Sequence, residues 1–212
     1  PEGIQNGTYV EKGLIWLQVG RERIKMMPLD WINLKGRHNQ ANVLAACAIA
    51  AAASIALPAI QTGVEEFQGV PHRLEFVRNF KGADWYNDSI ATAPERSLAA
   101  VEAFDQPVVL LLGGRDKNLP WDKLAEVCRK RVSRVIAFGE AADLVADAIG
   151  PKQRGQHLQS VVKCKTLEEA IKTAANQVTE GDVVLLSPGG TSFDAFKDFA
   201  ERGEMFRKWV NE

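Results

Sequence analysis

Cysteine is scarce: Cys47, Cys128 and Cys164 are the only three, and no CxxC spacing links them. An odd number at irregular spacing excludes a disulfide framework, and the missing CxxC removes a cysteine-based zinc site, so a reduced, cytoplasmic setting is the expectation. Net charge is also nearly absent. The 26 basic residues against 27 acidic ones leave −1, which gives no global field for nucleic acid or an acidic membrane; any anion must be gripped locally. The longest apolar run, Ala45 to Leu57, is too short to span a bilayer and lies inside the chain, which excludes a signal peptide. No GxxxxGK[ST] phosphate loop occurs, and no GxGxxG follows a predicted strand, which excludes a dinucleotide dehydrogenase. Internal repeats and low-complexity segments are lacking too. There is no initiator Met: the chain opens on Pro1, which points to processing or to a piece of something longer.

What is present is an α/β pattern sufficient for one core plus a smaller piece in 212 residues, 46% of them hydrophobic. Two or three short strands are predicted in the segments Gly7 to Glu11, Gly13 to Val19 and Arg23 to Met27. The alanine-dense stretch Ala41 to Leu57 predicts a buried helix, followed by a second helix over Pro58 to Phe67. Gly69-Val70-Pro71 breaks the pattern and predicts a hinge, dividing the chain into residues 1–70 and 71–212. Strands and helices then alternate: Leu74 to Phe80, Ala83 to Tyr86, helix Pro94 to Phe104, strand Val108 to Leu112, helix Trp121 to Lys130. Strand Arg134 to Phe138, helix Ala141 to Ile149, strand Leu158 to Lys163, helix Leu167 to Val178, strand Asp182 to Leu186 and a last helix from Phe193 to Val210 complete the run. Wholly apolar strands such as Val-Val-Leu-Leu-Leu (108–112) imply burial on both faces, hence a Rossmann-like, doubly wound, mostly parallel sheet. Thr92 with Glu95, Thr166 with Glu169 and Thr191 with Asp194 each place a hydroxyl three residues before a carboxylate and predict three capped helix starts.

In an open parallel sheet the ligand crevice lies beyond the carboxyl ends of the strands. Four loops occupy those positions: Asn87 to Thr92, Gly113 to Asn118, Gly139-Glu140 and Ser187 to Ser192. Asp88 suits a ribose or a metal-bound water, or else closes an Asx turn. Gly113-Gly114 would let backbone approach a ligand closely, with Lys117 supplying a cation, although a solvated Gly-Gly turn has the same pattern. The Ser187 to Ser192 loop either offers amides and hydroxyls to an anion or only starts a helix. Upstream, His38, Asn39 and Asn42 share the first turn of a helix, where asparagine amides can match an adenine edge or cap the helix. Arg73, just past the hinge, could reach a phosphate or be an ordinary surface arginine.

Six blocks in register then carry a resemblance: Gly36 to Ala46 (GRHNQANVLAA), Gly69 to Glu75 (GVPHRLE), Tyr86 to Thr92 (YNDSIAT), Leu112 to Lys117 (LGGRDK), Leu186 to Asp194 (LSPGGTSFD) and Phe196 to Gly203 (FKDFAERG). In this order the chain resembles the glutamate-adding members of the Mur ligase family. The resemblance implies the end of a central ATP-binding domain over 1–70 and a C-terminal Rossmann-like glutamate-binding domain over 71–212. It implies an activity too: cytoplasmic, ATP-dependent ligation of D-glutamate to UDP-N-acetylmuramoyl-L-alanine through an acyl phosphate, for peptidoglycan synthesis and so for cell shape and division, with Mg²⁺ and a monomeric full-length enzyme. Adenine contacts fall to Asn39 and Asn42, phosphate to Arg73, ribose to Asp88, and the glutamate site to Thr92, Lys117, Ser192, Phe193 (by its backbone) and Phe199. Lys117 and Arg73 carry the catalytic charge.

Two departures stand out. Ile90 occupies a position where the family commonly has lysine, and neither the phosphate loop nor a lysine for carbamylation and magnesium binding is found, so those parts are expected upstream and this piece is expected to be inactive alone. Two other readings compete: an L-glutamate-adding variant, and a non-catalytic module binding a nucleotide or amino acid. The Phe196 to Gly203 block argues against a folate-extending enzyme.

Overall fold

The computed structural model describes residues 5–151 and 154–212. The chain divides into two compact units, Pro1–Gly69 and Val70–Glu212. No described helix is long and apolar enough to cross a membrane.

In the first unit, β1 (Asn6–Glu11), β2 (Leu14–Val19) and β3 (Glu22–Pro28) form an antiparallel meander in the order β1-β2-β3. Ile15 pairs with Met27 across β2 and β3, and with Met26, Cys47 and Ile60 these two side chains make the small core. Helices α1 (Arg37–Ala52) and α2 (Leu57–Glu66) cover it. The alanine-rich helix departs from expectation in extent and in burial. It starts at Arg37 and stops at Ala52, where Ser54 takes a φ of 60° and the chain turns into α2, led by Pro58 in its first turn. Only Asn39 and Cys47 of α1 are buried, and Ile49 is 70% exposed. A helix built mostly of alanine has no strong apolar stripe, and a three-stranded sheet can cover only one of its faces.

The second unit is a six-stranded sheet in the order β4-β5-β9-β6-β7-β8. Its strands are β4 (Glu75–Phe80), β5 (Ala83–Asn87), β6 (Val108–Gly113), β7 (Val132–Phe138), β8 (Ser160–Cys164) and β9 (Val183–Gly189). Only β4 runs antiparallel to its neighbour, so the sheet is mostly parallel. Val108, Leu110 and Leu112 pack on one face with α3 (Pro94–Val101), α4 (Asp122–Arg131) and α5 (Ala142–Ile149). Val109 and Leu111 pack on the other with α6 (Leu167–Ala175) and α7 (Phe199–Asn211). Alternation of one apolar strand between two cores is what double winding requires.

Helix starts differ from expectation at two of three points. Thr166 does cap α6, accepting from the Glu169 amide at 3.2 Å. Ala93 rather than Thr92 precedes α3, and Pro94 at its first position has no amide hydrogen to leave unpaired. The last helix starts at Phe199, not Phe193: the chain from Ser192 turns once, with the amides of Ala195 and Phe196 on the Ser192 carbonyl, before Asp198 caps α7 by accepting from the Glu201 amide at 2.8 Å. Thr191 instead gives its hydroxyl to the Arg115 carbonyl at 3.2 Å.

Candidate functional site

Strand β9 enters between β5 and β6 although it is last in the chain, so the carboxyl ends of β5, β9 and β6 lie side by side at the point where the winding reverses. The expected loops after these strands are interlocked there. Arg115 and Thr191 exchange both backbone hydrogen bonds, at 2.9 and 2.8 Å. Gly189 donates to the Ala91 carbonyl at 2.9 Å. Strand β9 is longer than its apolar run, so Ser187, read from sequence as loop, is wholly buried in the strand.

Of the residues expected to surround glutamate, Lys117 and Thr92 are brought together: the Lys117 ammonium donates to the Thr92 hydroxyl at 3.3 Å. Lys117 is exposed and Thr92 half-buried, so a cation and a hydroxyl face solvent from two loops at the crevice. Ser192 is buried beside Thr191, and the Phe199 carbonyl accepts the Ser89 hydroxyl at 2.8 Å. Phe193 stands apart, its side chain 60% exposed.

Asp88 is 5% exposed and sits under the same loops. Its Oδ1 accepts from the Leu74 amide at 3.1 Å and its Oδ2 from the Ser187 hydroxyl at 2.8 Å. Burial pushes its pKa up to about 6, opposed by those two hydrogen bonds and by the charges of Arg73 and Arg96. The Asx turn in this loop belongs to Asn87, whose Oδ1 accepts from the Ser89 amide at 3.1 Å. Arg73 is exposed and near enough for its charge to act on Asp88. In the first unit, the Asn39 amide donates to the Lys35 carbonyl at 2.8 Å and its Oδ1 accepts from Asn42 at 3.4 Å. The residue capping α1 is Gly36, which has no side chain to do so.

At Gly113 and Gly114 the close approach seen is to the protein's own backbone. A Cβ on Gly113 would lie 1.9 Å from the Phe138 carbonyl oxygen, and one on Gly114 2.1 Å from that of Thr191. The glycines admit neighbouring backbone of the protein itself, which is how the loops after β6, β7 and β9 close on one another.

Sequence reasoning assigned no role to Arg202, the most constrained side chain here. It is 0% exposed, and burial lowers its pKa to about 10, opposed by the charge of Asp194. One signal was available: Phe199, Arg202, Gly203, Phe206 and Val210 recur at helical spacing, which puts the arginine on the inward stripe of α7.

Solved structures share this fold at low identity. A pseudomurein peptide ligase type C from Methanothermus fervidus superposes with a TM-score of 0.66 at 17% identity, over 98% of this chain and 41% of that one. MurF ligase from Thermotoga maritima, in complex with ADP, gives 0.59 at 18% identity, over 96% and 45%. Among curated proteins, the UDP-N-acetylmuramoylalanine--D-glutamate ligase of Symbiobacterium thermophilum is 40% identical over 210 residues, 99% of this chain and 45% of its own length. That of Koribacter versatilis is 37% identical over 209 residues, with 99% and 45% covered. The chain thus spans about half the length of the curated relatives it matches. The family described as Mur ligase, glutamate ligase domain matches residues 72–190, more than half of the chain, which therefore belongs to the Mur ligase family.

Proposed function

We propose that this chain is the adenine- and glutamate-holding part of a cytoplasmic, monomeric ligase that joins D-glutamate to UDP-N-acetylmuramoyl-L-alanine with ATP in peptidoglycan precursor synthesis. Residues 1–70 are the end of its central ATP-binding domain, and 71–212 its Rossmann-like glutamate-binding domain. The observation that carries this reading is the Lys117 ammonium beside the Thr92 hydroxyl at the carboxyl edge of a parallel sheet. Identity of 36–40% to proteins named as that ligase, over 98–100% of the chain, supports it.

Glutamate presents two carboxylates and an amine. One carboxylate takes the Lys117 ammonium and the Thr92 hydroxyl; Ser192, the Phe193 backbone and Phe199 border the rest, leaving the amine free to attack. In the reaction, the alanine carboxylate of the UDP substrate displaces ADP from the terminal phosphorus of ATP. The glutamate amine then adds to the acyl phosphate carbon and loses a proton, and inorganic phosphate leaves. Arg73 faces the phosphates and stabilises their charge as it shifts. Asn39 and Asn42 present amides to adenine. Asp88 already accepts two hydrogen bonds, but a carboxylate has about four lone-pair sites, so a ribose hydroxyl still finds an acceptor. Mg²⁺ would screen the phosphates. Its ligands would come mostly from upstream sequence; among the described residues no three His, Cys, Asp or Glu side chains gather to hold a cation.

The test is phosphate release with UDP-N-acetylmuramoyl-L-alanine, ATP and D- or L-glutamate, on this chain and on the same chain joined to its upstream sequence. Turnover is expected only from the longer protein and only with D-glutamate. Turnover with L-glutamate alone means an L-glutamate-adding enzyme, while a longer protein that releases no phosphate with either isomer leaves a binding module.

A further inference from the structure

The loops that carry the glutamate residues meet over one buried side chain. Arg202 donates from Nε to the Ser89 hydroxyl at 3.0 Å and from Nη1 to the carbonyls of Gly190 and Thr191 at 3.2 and 3.0 Å. Its Nη2 donates to the carbonyls of Ser89 and Gly190 at 2.9 and 3.2 Å. A guanidinium has five N–H donors in a rigid plane, and these bonds use all five on neutral acceptors. Among the described residues no carboxylate pairs with it directly. A full charge sealed among carbonyls is costly, and an apolar side chain of equal volume would avoid that cost. What an apolar side chain lacks is a fork that fixes four oxygens from two loops at once.

Four of the five candidate glutamate residues, Phe193 excepted, are tied closely to this fork. Thr92 lies three residues beyond Ser89, and Ser192 follows Thr191 directly. Phe199 accepts the hydroxyl of Ser89, the same hydroxyl that receives Arg202 Nε. Lys117 is two residues past Arg115, whose backbone is paired to Thr191. A change in how Arg202 is held therefore moves the hydroxyls and the ammonium relative to one another.

We propose that Arg202 is the positioning residue of the glutamate site: its guanidinium fixes the distance between the β5 and β9 loops and so the spacing of the groups that hold the substrate's two carboxylates. This rests on the ligase reading above. Arg202 touches no substrate in that reading, and Asp88, the ribose acceptor next to Ser89, is held in place by its own two partners, the Leu74 amide and the Ser187 hydroxyl, so the ATP contacts do not depend on the fork.

The decisive comparison is steady-state kinetics of the full-length ligase carrying Arg202→Lys, which keeps the charge and the stem but loses the planar fork. The KM for glutamate is expected to rise at least ~10-fold, while those for ATP and the UDP substrate stay within ~2-fold and the circular dichroism is unchanged. Arg202→Met raises the glutamate KM further; if it does not fold, the lysine variant alone decides. Arg207→Met on the same helix is the control, since it breaks ion pairs to Glu75 and Glu204 without touching either loop, and its glutamate KM stays at the wild-type value. A lysine variant with the wild-type glutamate KM, or one in which all three KM values rise together, overturns the proposal and leaves the ligase reading intact. A wild-type full-length protein that releases no phosphate with either glutamate isomer overturns both.

Discussion

The Ser187 hydroxyl donates to Asp88 Oδ2 at 2.8 Å, joining the ends of the neighbouring parallel strands β5 and β9 through a carboxylate almost without access to water. Burial raises the pKa of Asp88 from 3.8 to about 6, against the pull of Ser187, the Leu74 amide and two arginines. Between these two values the folded chain binds more protons than the unfolded one, so this group's contribution to stability falls as pH rises. The cost is absent below ~4 and complete above ~6, where it reaches roughly 3 kcal/mol. Asp88→Asn keeps an acceptor for Leu74 and turns a donor toward Ser187. It is expected to be more stable than wild type at neutral pH by ~1–2 kcal/mol, with the gap closing as pH falls from ~6 to ~4. Urea unfolding at both ends of that window checks this, and a gap independent of pH refutes it. The same variant is expected to bind ATP more weakly, because the ribose loses a charged acceptor.

Lys117 is exposed, so its ion–dipole contact with Thr92 adds little to folding. Lys117→Met is expected to leave thermal stability within ~0.5 kcal/mol of wild type. In the full-length protein it is expected to raise the glutamate KM by ~10–100-fold, the loss of a charge-assisted contact to a carboxylate. Lys117→Arg restores only part of this, since a planar fork does not reproduce a point charge on a flexible stem. A KM for glutamate that ignores Lys117 removes it from the site.

Three Thr-x-x-acid sequences look alike and do different things, which separates their substitutions. Thr166→Ala removes a true cap and is expected to cost ~1 kcal/mol, as is Asp198→Ala at the start of α7. Thr92→Ala is expected to cost less than ~0.5 kcal/mol, because its hydroxyl faces Lys117 instead of a helix amide. Its effect is expected in the glutamate KM. Thermal unfolding of the three variants side by side gives the ranking.

These cases show what could be read before the structure and what could not. Five consecutive apolar residues at Val108 to Leu112 are intelligible only between two covered faces, so the parallel sheet was legible. Placing the ligand crevice past the strand ends led to the loops that carry Thr92, Lys117 and Ser192, because a parallel sheet directs all those loops to one edge, whereas the roles of Thr92 and Ser192 came only from the family resemblance. A hydroxyl three residues before a carboxylate can cap a helix, but at Thr92 and Thr191 the partner came from a distant loop, Lys117 and Arg115 respectively. Nothing local encodes such a choice. Arg202 was missed for the converse reason: arginine is ordinarily a surface residue, and its burial depends on four oxygens from segments separated by about half the chain. The burial of α1 was misjudged because alanine fits a covered face and an open one equally well.

Gly203 provides a test in which local propensity and packing disagree in sign. It lies within α7, where Gly→Ala in an exposed helix interior stabilises by about 1 kcal/mol. Here an added Cβ would fall 2.2 Å from Nδ1 of His72, a buried ring hydrogen-bonded to Asn87 at 3.0 Å and flanked by Glu75 and Glu204 at 3.8 and 3.6 Å. The ring has little room to retreat, since the Asn87 amide that meets it also donates to Glu75 and to the Gly203 carbonyl. Gly203→Ala is therefore expected to destabilise by ~1–3 kcal/mol, the cost of overpacking a filled site. In the background of His72→Ala the clash is gone, so the same substitution is expected to become neutral or stabilising, giving a coupling of ~1–3 kcal/mol between the two positions. Thermal or urea unfolding of the two single variants and the double variant measures it. If Gly203→Ala stabilises the wild-type background, α7 does not pack on His72 as closely as these distances require.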